Sequence, residues 1–168
     1  MKRTVIFCVV LAALSFVVFG QTKSVTPAML DGVWKISEIV TTGANAATNR
    51  SPQPSLVIFT KGYYSILSVN GTQPRPKVAQ AKDPAKLTDA EKLARYEQWS
   101  PFTANSGTCE IKGATLTRRP IVAKNEAVMT GPSVTEDVQM EGDSLWLIAK
   151  SAPGQPASET RTKLTRLK

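Results

Sequence analysis

The clearest pattern in the sequence is residues 56–69, which read LVIFTKGYYSILSV. Two runs rich in apolar, β-branched and aromatic residues are separated only by Lys61 and Gly62. Such runs favour β-strands. A two-residue connection with glycine second is typical of a tight hairpin, since that turn requires a positive φ. These residues therefore predict two antiparallel strands, 56–60 and 63–69.

Similar β-prone runs are spread over the rest of the chain and are separated by turn residues. They are residues 32–41, 108–111, 115–119, 133–140, 145–149 and 160–167. Together with the hairpin they make about eight strands, mostly joined by short turns. Eight sequential antiparallel strands are enough to close a barrel, which removes exposed sheet edges. The expected fold is therefore all-β, an eight-stranded antiparallel up-and-down barrel.

Residues 87–99 break this β pattern and predict one short helix between strands three and four. Thr88 and Glu91 have the spacing of a capping box, and Pro101 ends the helix. The preceding residues, 70–86, contain three prolines and are expected to form a long loop. The loop and the helix could fold across one end of the barrel, where the helix would be either a lid or a plug.

The composition excludes several kinds of active site. The 168 residues include 21 basic and 13 acidic side chains but no histidine. A Ser-His-Asp triad, a Cys-His dyad and a histidine-bearing zinc site are therefore impossible. No cluster of acid and base residues indicates catalysis, so an enzyme is possible but less favoured, and neither a cofactor nor a metal is expected. Of the two cysteines, Cys109 lies outside the first 20 residues and is expected to be a small buried hydrophobic residue.

Residues 1–20 have the pattern of an export signal. Lys2 and Arg3 give a positive start, 5–19 is an apolar run, and Gly20 is a small residue at the expected cleavage site. The run is shorter than the roughly 20 residues of a membrane-spanning helix, and an uncleaved anchor is the alternative. We therefore expect a periplasmic or secreted protein with no stable membrane insertion after cleavage.

The expected domain organisation is a signal peptide at 1–20, an N-terminal linker at 21–29 and a barrel domain at 30–168. Cleavage would remove Lys2 and Arg3, which lowers the formal charge from +8 to +6. The remaining basic residues are dispersed, without a polybasic block or the interleaved aromatic residues of single-strand binders. The charge is thus typical of a solvated surface, and no nucleic-acid partner is expected.

Residues 30–36, LDGVWKI, resemble the Gly-x-Trp opening of lipocalins. Further segments resemble, in the same order, the bacterial lipocalin-like domain family: 56–60, 62–69, 87–99, 106–111 and 141–147. The resemblance covers residues 30–167. It implies a lipocalin/calycin-type β-barrel that could hold a small apolar molecule, and it implies no catalytic activity. The chain departs from the family at 118–120, where the family often has His, and at Cys109, where it often has Tyr.

The resemblance also implies that Trp34 closes one end of the barrel and that an arginine of the last strand lies over it. Arg166 is the best match for this arginine and Arg161 the second, so Trp34 and Arg166 are treated as structural. Seven residues are candidates for the ligand pocket: Phe59, Tyr64, Ile66, Tyr96, Arg118, Met129 and Trp146. The strand residues among them are placed in the interior because side chains alternate between the two faces of a strand.

Arg118 and Arg119 are adjacent in a strand, so one is expected to point inward and the other to solvent. An inward arginine needs a partner, because a buried unpaired charge is costly. The partner would be either the carboxylate or phosphate of an amphipathic ligand or an internal glutamate. The candidate glutamates are Glu38, Glu110 and Glu136. Alternatively, both arginines could be exposed near a bend at Pro120.

Three functional hypotheses follow. The first is an exported lipocalin-like protein that binds a small hydrophobic or amphipathic molecule, including an anionic one, in the barrel interior. The second is a barrel-based isomerase or cyclase that acts on an apolar substrate through Glu38, Glu110 or Tyr96 with a perturbed pKa. The third is a packed barrel that acts through its outer surface as a protein-interaction module. The sequence indicates no oligomeric state.

Overall fold

The computed structural model describes residues 24–168, and the expected signal peptide at 1–20 lies outside the described residues. Within 24–168 the chain forms three helices and nine strands. In chain order these are α1 (Pro27–Leu30), β1 (Gly32–Gly43), β2 (Ala47–Asn49), β3 (Ser55–Thr60), β4 (Tyr63–Val69), α2 (Asp89–Trp99), β5 (Phe102–Lys112), β6 (Thr115–Ala123), α3 (Glu126–Thr130), β7 (Val134–Glu141), β8 (Ser144–Lys150) and β9 (Ser158–Arg166).

Eight of the strands form a closed antiparallel barrel. Each pairs with the next in the order β1-β3-β4-β5-β6-β7-β8-β9. β9 returns to pair with β1, from Trp34 opposite Arg166 to Gly43 opposite Ser158. The all-β, eight-stranded barrel expected from the sequence is thus confirmed. Closure gives every strand of the ring two neighbours, which is how an antiparallel sheet avoids exposed edges.

β2 is a ninth strand outside the ring, which the sequence pattern does not predict. It pairs with residues 39–41 of β1, whereas residues 32–34 of the same strand pair with β3. A bulge between Ile36 and Glu38 separates the two halves of β1. β1 therefore changes its partner on one side while β9 stays paired with it on the other.

α2 begins as the capping pattern predicts but has a different position in the strand order. Thr88 Oγ1 accepts a hydrogen bond from the Glu91 amide, and the Glu91 carboxylate accepts one from the Thr88 amide. The expected position between strands three and four is wrong. α2 follows β4, because β2 precedes it as an additional strand. The expectation of a single helix is also wrong, since α1 precedes β1 and α3 follows β6.

The two ends of the barrel differ in how the strands are connected. At the closed end, tight turns at Lys61-Gly62, Gly113 and Gly142 join neighbouring strands. At the open end, the connections are longer and contain α2, α3 and residues 151–157. The long connections leave room for a site at the open end.

Arg166 seals the closed end. Its guanidinium lies 4.1 Å from the centroid of the Trp34 ring. It donates hydrogen bonds to the carbonyl oxygens of Asp31 at 2.6 Å and Met29 at 2.8 Å. Trp34 Nε1 in turn donates to the Leu30 carbonyl at 3.0 Å. This is the arrangement that the resemblance implies for the two residues.

The core fills the closed half of the barrel. Its largest fully buried side chains are Trp34, Val57, Phe59, Leu116, Leu145 and Leu164. Val25 and Leu30 belong to the same cluster, so part of the segment expected as a linker, 21–29, packs into the barrel. Glycine is required at Gly32, where φ is +148° and a Cβ would overlap the Arg166 guanidinium.

Candidate functional site

Phe59, Tyr64 and Ile66 face the barrel interior, where the sequence analysis places them. Phe59 and Tyr64 are opposite each other on β3 and β4 and belong to the buried cluster. Ile66 packs against that cluster from a position nearer the open end. Phe59 is part of the packed floor, whereas Tyr64 has a hydroxyl group that the apolar floor does not satisfy.

Arg118 points into the barrel and is paired with Glu136. Its Nε and Nη2 both donate to Glu136 Oε2, at 3.0 Å and 2.7 Å. The Arg118 side chain is 10% exposed and that of Glu136 is 12% exposed. Arg119 points outward, 3.8 Å from Glu110. Of the three candidate glutamates, Glu136 is therefore the one whose carboxylate neutralises the charge of the inward Arg118.

Tyr64 lies beside this ion pair. The Arg118 guanidinium is 5.3 Å from the centroid of the Tyr64 ring. Burial raises the pKa of the Tyr64 hydroxyl, and the nearby guanidinium opposes the rise only in part. The hydroxyl is buried and makes no hydrogen bond to the described residues. Tyr64 is therefore a neutral donor without an acceptor.

Asn105 is a second buried polar residue, on the inner face of the barrel near Tyr64, that lacks a hydrogen-bond partner. It lies on β5 opposite Ile66, two residues from Gly107, which is opposite Tyr64. Alternation along β5 therefore places Asn105 on the inner face with them. Its Oδ1 is buried and accepts no hydrogen bond within residues 24–168. An unsatisfied buried polar atom costs about 1–3 kcal/mol, so two of them on neighbouring strands need an explanation.

Cys109 is two residues after Gly107, at the next inward-facing position of β5, and packs against the core. It is opposite Arg118 in the pairing of β5 with β6. Burial raises the pKa of the Cys109 thiol, and Arg118 opposes this only in part. The thiol therefore stays protonated near neutral pH, which suits a packing residue better than a nucleophile.

A cavity of about 420 Å³, the mouth cavity, lies at the open end between α2, α3 and the strands β5 and β6. Its lining includes Tyr96, Phe102, Thr103, Asn105, Ala123 and Val128. Lys124 stabilises one side of the mouth cavity. Its ammonium group donates hydrogen bonds to the carbonyl oxygens of Trp99, Ser100 and Phe102. These carbonyls include the C-terminal end of α2, where a cation is favourable.

Two further pocket candidates lie on the helices of the open end. Tyr96 lines the mouth cavity from α2, although 69% of its surface is exposed. Met129 lies on α3, outside the barrel wall, and is 37% exposed. Neither contributes to the barrel core.

Trp146 lies on the outer face of β8, not in the interior where the sequence analysis places it. Its neighbours Leu145 and Leu147 belong to the core cluster, so alternation turns the indole outward. It is covered by Arg161 and Lys163, 5.1 Å and 5.3 Å from its ring, and its Nε1 donates to Glu141 at 2.7 Å. Long basic side chains bury it from outside.

The acidic residues considered for catalysis lie away from the interior. Glu38 is 3.5 Å from Arg50, on the outward face opposite Lys163. Glu110 is exposed and is paired with Lys112, which lowers the pKa of its carboxyl group. Residues 24–168 contain no group of three potential metal ligands. In the same range, every helix is too short or too polar to cross a membrane.

The structure is similar in fold to a lipocalin-like protein. That protein, from Bacteroides uniformis ATCC 8492, is 16% identical with a TM-score of 0.44, and the match covers 83% of this chain and 99% of that one. An uncharacterized protein from Bacteroides eggerthii DSM 20697 is 11% identical with a TM-score of 0.43, covering 82% and 99%. No protein-family model and no curated protein matches the chain. The barrel assignment itself rests on the strand pairing.

Of the residues that line the mouth cavity, the sequence analysis names only Tyr96 and misses the others, Asn105 among them. The β pattern there begins at residue 108, whereas β5 begins at Phe102. Residues 103–109, TANSGTC, are all small or polar, so no alternation in them indicates which side chains face inward. Such residues do not have the apolar character by which a strand is usually recognised.

Proposed function

We propose that the protein binds a small hydrophobic or amphipathic molecule at the open end of its barrel. The apolar part of the molecule lies in the mouth cavity and its polar end reaches the inner wall at Tyr64 and Asn105. One observation carries the proposal: Asn105 lines the mouth cavity and has a buried acceptor atom with no partner in the described chain. A volume of about 420 Å³ lies within the range of small-molecule sites, roughly 300–1,000 Å³.

The graded burial of the inner wall supports binding over a fully packed barrel. Near the closed end, Leu116, Leu145 and Leu164 are fully buried. Near the open end, inward positions such as Thr103 and Thr162 are only half-buried. Side chains that fill the floor and leave the upper wall accessible are typical of a barrel that accommodates one small ligand.

The expected affinity is moderate. A ligand that buries about 300 Å² of apolar surface gains about 7 kcal/mol. Loss of translational and rotational freedom offsets part of this gain, and satisfying polar groups restores some of it. A net gain below about 7 kcal/mol corresponds to dissociation constants weaker than about 10 µM.

The test uses a variant that fills the mouth cavity and a matched variant that does not. Ala123→Trp places an indole in the cavity, whereas Ile121→Trp adds one at an exposed position of the same strand. Binding of the neutral fluorescent probe N-phenyl-1-naphthylamine should weaken about tenfold or more in Ala123→Trp and stay unchanged in Ile121→Trp. Thermal unfolding of both variants reports whether they fold.

Native mass spectrometry of the protein purified from its producing cells, followed by solvent extraction, provides a second test. A discrete added mass that matches an extracted apolar or amphipathic molecule supports the proposal. A bare mass together with no uptake of the probe contradicts it and favours a packed barrel that acts through its surface.

We also propose that the protein is exported and works in the periplasm or outside the cell. The support is the positive start and apolar run of residues 1–20. Cell fractionation and N-terminal sequencing test it: a mature chain that begins near Gln21 in the periplasm or medium is expected. A full-length chain in the cytoplasm contradicts it.

A further inference from the structure

We propose that the polar group of the bound molecule is uncharged and both donates and accepts a hydrogen bond. This inference rests on the proposed function and narrows its ligand class. Hydroxyl and amide groups fit, as in fatty alcohols, fatty amides and acylglycerols. An ionised carboxylate or phosphate does not fit.

The first argument is the charge balance of the inner wall. Arg118 is the cation beside Tyr64, and its Nε and Nη2 both bind Glu136. Both side chains are nearly buried, so the pair is electrically neutral and is held within the wall. An anionic ligand would compete with Glu136 for the guanidinium and would leave one negative charge unbalanced, which is unfavourable away from water.

The second argument is the kind of hydrogen bond that each unpaired atom needs. Tyr64 is only 3% exposed, and its buried hydroxyl needs an acceptor. Asn105 Oδ1 needs a donor. A ligand hydroxyl can accept from Tyr64 and donate to Asn105, and an amide does the same through its oxygen and its N–H. A carboxylate only accepts, so it would leave Asn105 Oδ1 unsatisfied beside a negative charge.

We place both unpaired atoms against one head group because Tyr64 and Asn105 lie on the same inner face of neighbouring strands. Tyr64 and Asn105 are diagonal neighbours on paired strands, since Asn105 lies two residues before Gly107, the partner of Tyr64. Diagonal positions of this kind are about 7–8 Å apart, and somewhat less between their Cβ atoms, which is within reach of a long side chain such as tyrosine.

The experiment compares three ligands of equal chain length on the delipidated mature protein at pH 8. Decanol, decanamide and decanoate displace N-phenyl-1-naphthylamine, and their affinities are read from the displacement curves. Decanol and decanamide should bind about tenfold or more tightly than decanoate, because the carboxylate brings an uncompensated charge. Equal or tighter binding of decanoate overturns this inference and leaves the proposed function standing. If neither the probe nor any of the three ligands binds, the proposed function fails as well.

Two neighbouring tyrosines provide the matched variants. Tyr64→Phe removes the inward hydroxyl and should weaken decanol about fivefold, the effect of one neutral hydrogen bond, while decanoate changes little. Tyr63→Phe removes the exposed hydroxyl next to it and should change neither ligand. Asn105→Leu should also weaken decanol selectively, and it replaces Tyr64→Phe if that variant does not fold. If Tyr64→Phe and Asn105→Leu lose the same affinity for decanoate as for decanol, the uncharged head group is the wrong assignment.

Discussion

Replacing Glu136 by leucine should lower the free energy of unfolding by about 3–5 kcal/mol, because it leaves the buried Arg118 guanidinium without a counter-charge. The expected loss of stability is this large because Arg118 and Glu136 share two hydrogen bonds, of 3.0 and 2.7 Å. Their side chains are only 10% and 12% exposed. With a urea dependence of about 2 kcal/mol per molar, the unfolding midpoint should fall by about 2 M.

The double variant separates the loss of the pair from the cost of an unpaired charge. Arg118→Met combined with Glu136→Leu should recover most of the lost stability, because an apolar pair of similar volume costs little in a buried position. Glu110→Leu is the matched control on the outer face, where its partners Lys112 and Arg119 are exposed, and it should leave the midpoint almost unchanged. The reasoning is refuted if Glu136→Leu is as stable as the parent, or if the double variant is as unstable as the sum of the two single variants.

Three further predictions concern other parts of the barrel. Arg166→Ala should cost about 3–4 kcal/mol in urea unfolding, from two charge-assisted hydrogen bonds and a guanidinium–indole contact, while Arg50→Ala at an exposed position should be neutral; similar small losses in both would mean that Arg166 does not seal the closed end. Cys109 is partly buried and burial raises the pKa of its thiol, so it should react with a disulfide reagent near pH 8 much more slowly in the folded protein than in urea; equal labelling rates would contradict this. Because burial raises the pKa of Tyr64 from 10.0, the neutral phenol stabilises the fold below about pH 10 and this contribution is lost as pH rises through the folded pKa; a plot of unfolding free energy against pH should show this alkaline loss, and its persistence in Tyr64→Phe would assign it to another group.

Local patterns in the sequence predict the barrel well. The hairpin at 56–69 follows from its two runs of apolar, β-branched and aromatic residues and from Gly62, which takes φ +81° in the turn. The start of α2 follows from the Thr88 capping box. Both features depend on residues close together in the chain, so their physical cause is visible in the sequence itself.

The candidate site depends on strand pairing, which local patterns do not determine. Leu145, Trp146 and Leu147 are all apolar, so alternation alone does not say which face is inside. The pairing of Leu145 with Leu164 decides it and turns Trp146 outward. In the same way, Arg118 forms its ion pair with Glu136 because β6 pairs with β7 in one particular register. β2 is missed because three residues, Ala-Thr-Asn, carry no β pattern.

The pairing of β1 with β9 has a consequence for the order of folding. Asp31 and Arg166, which meet at the closed end, are 135 positions apart in the chain. A nascent chain that emerges from its N-terminus can build the sheet from β1 to β8, but two strand edges stay exposed until the nine residues of β9 arrive. Contacts of such long sequence separation form slowly. Because Arg166 belongs both to the last strand and to the cover of Trp34, the ring closes and its floor is sealed in the same event.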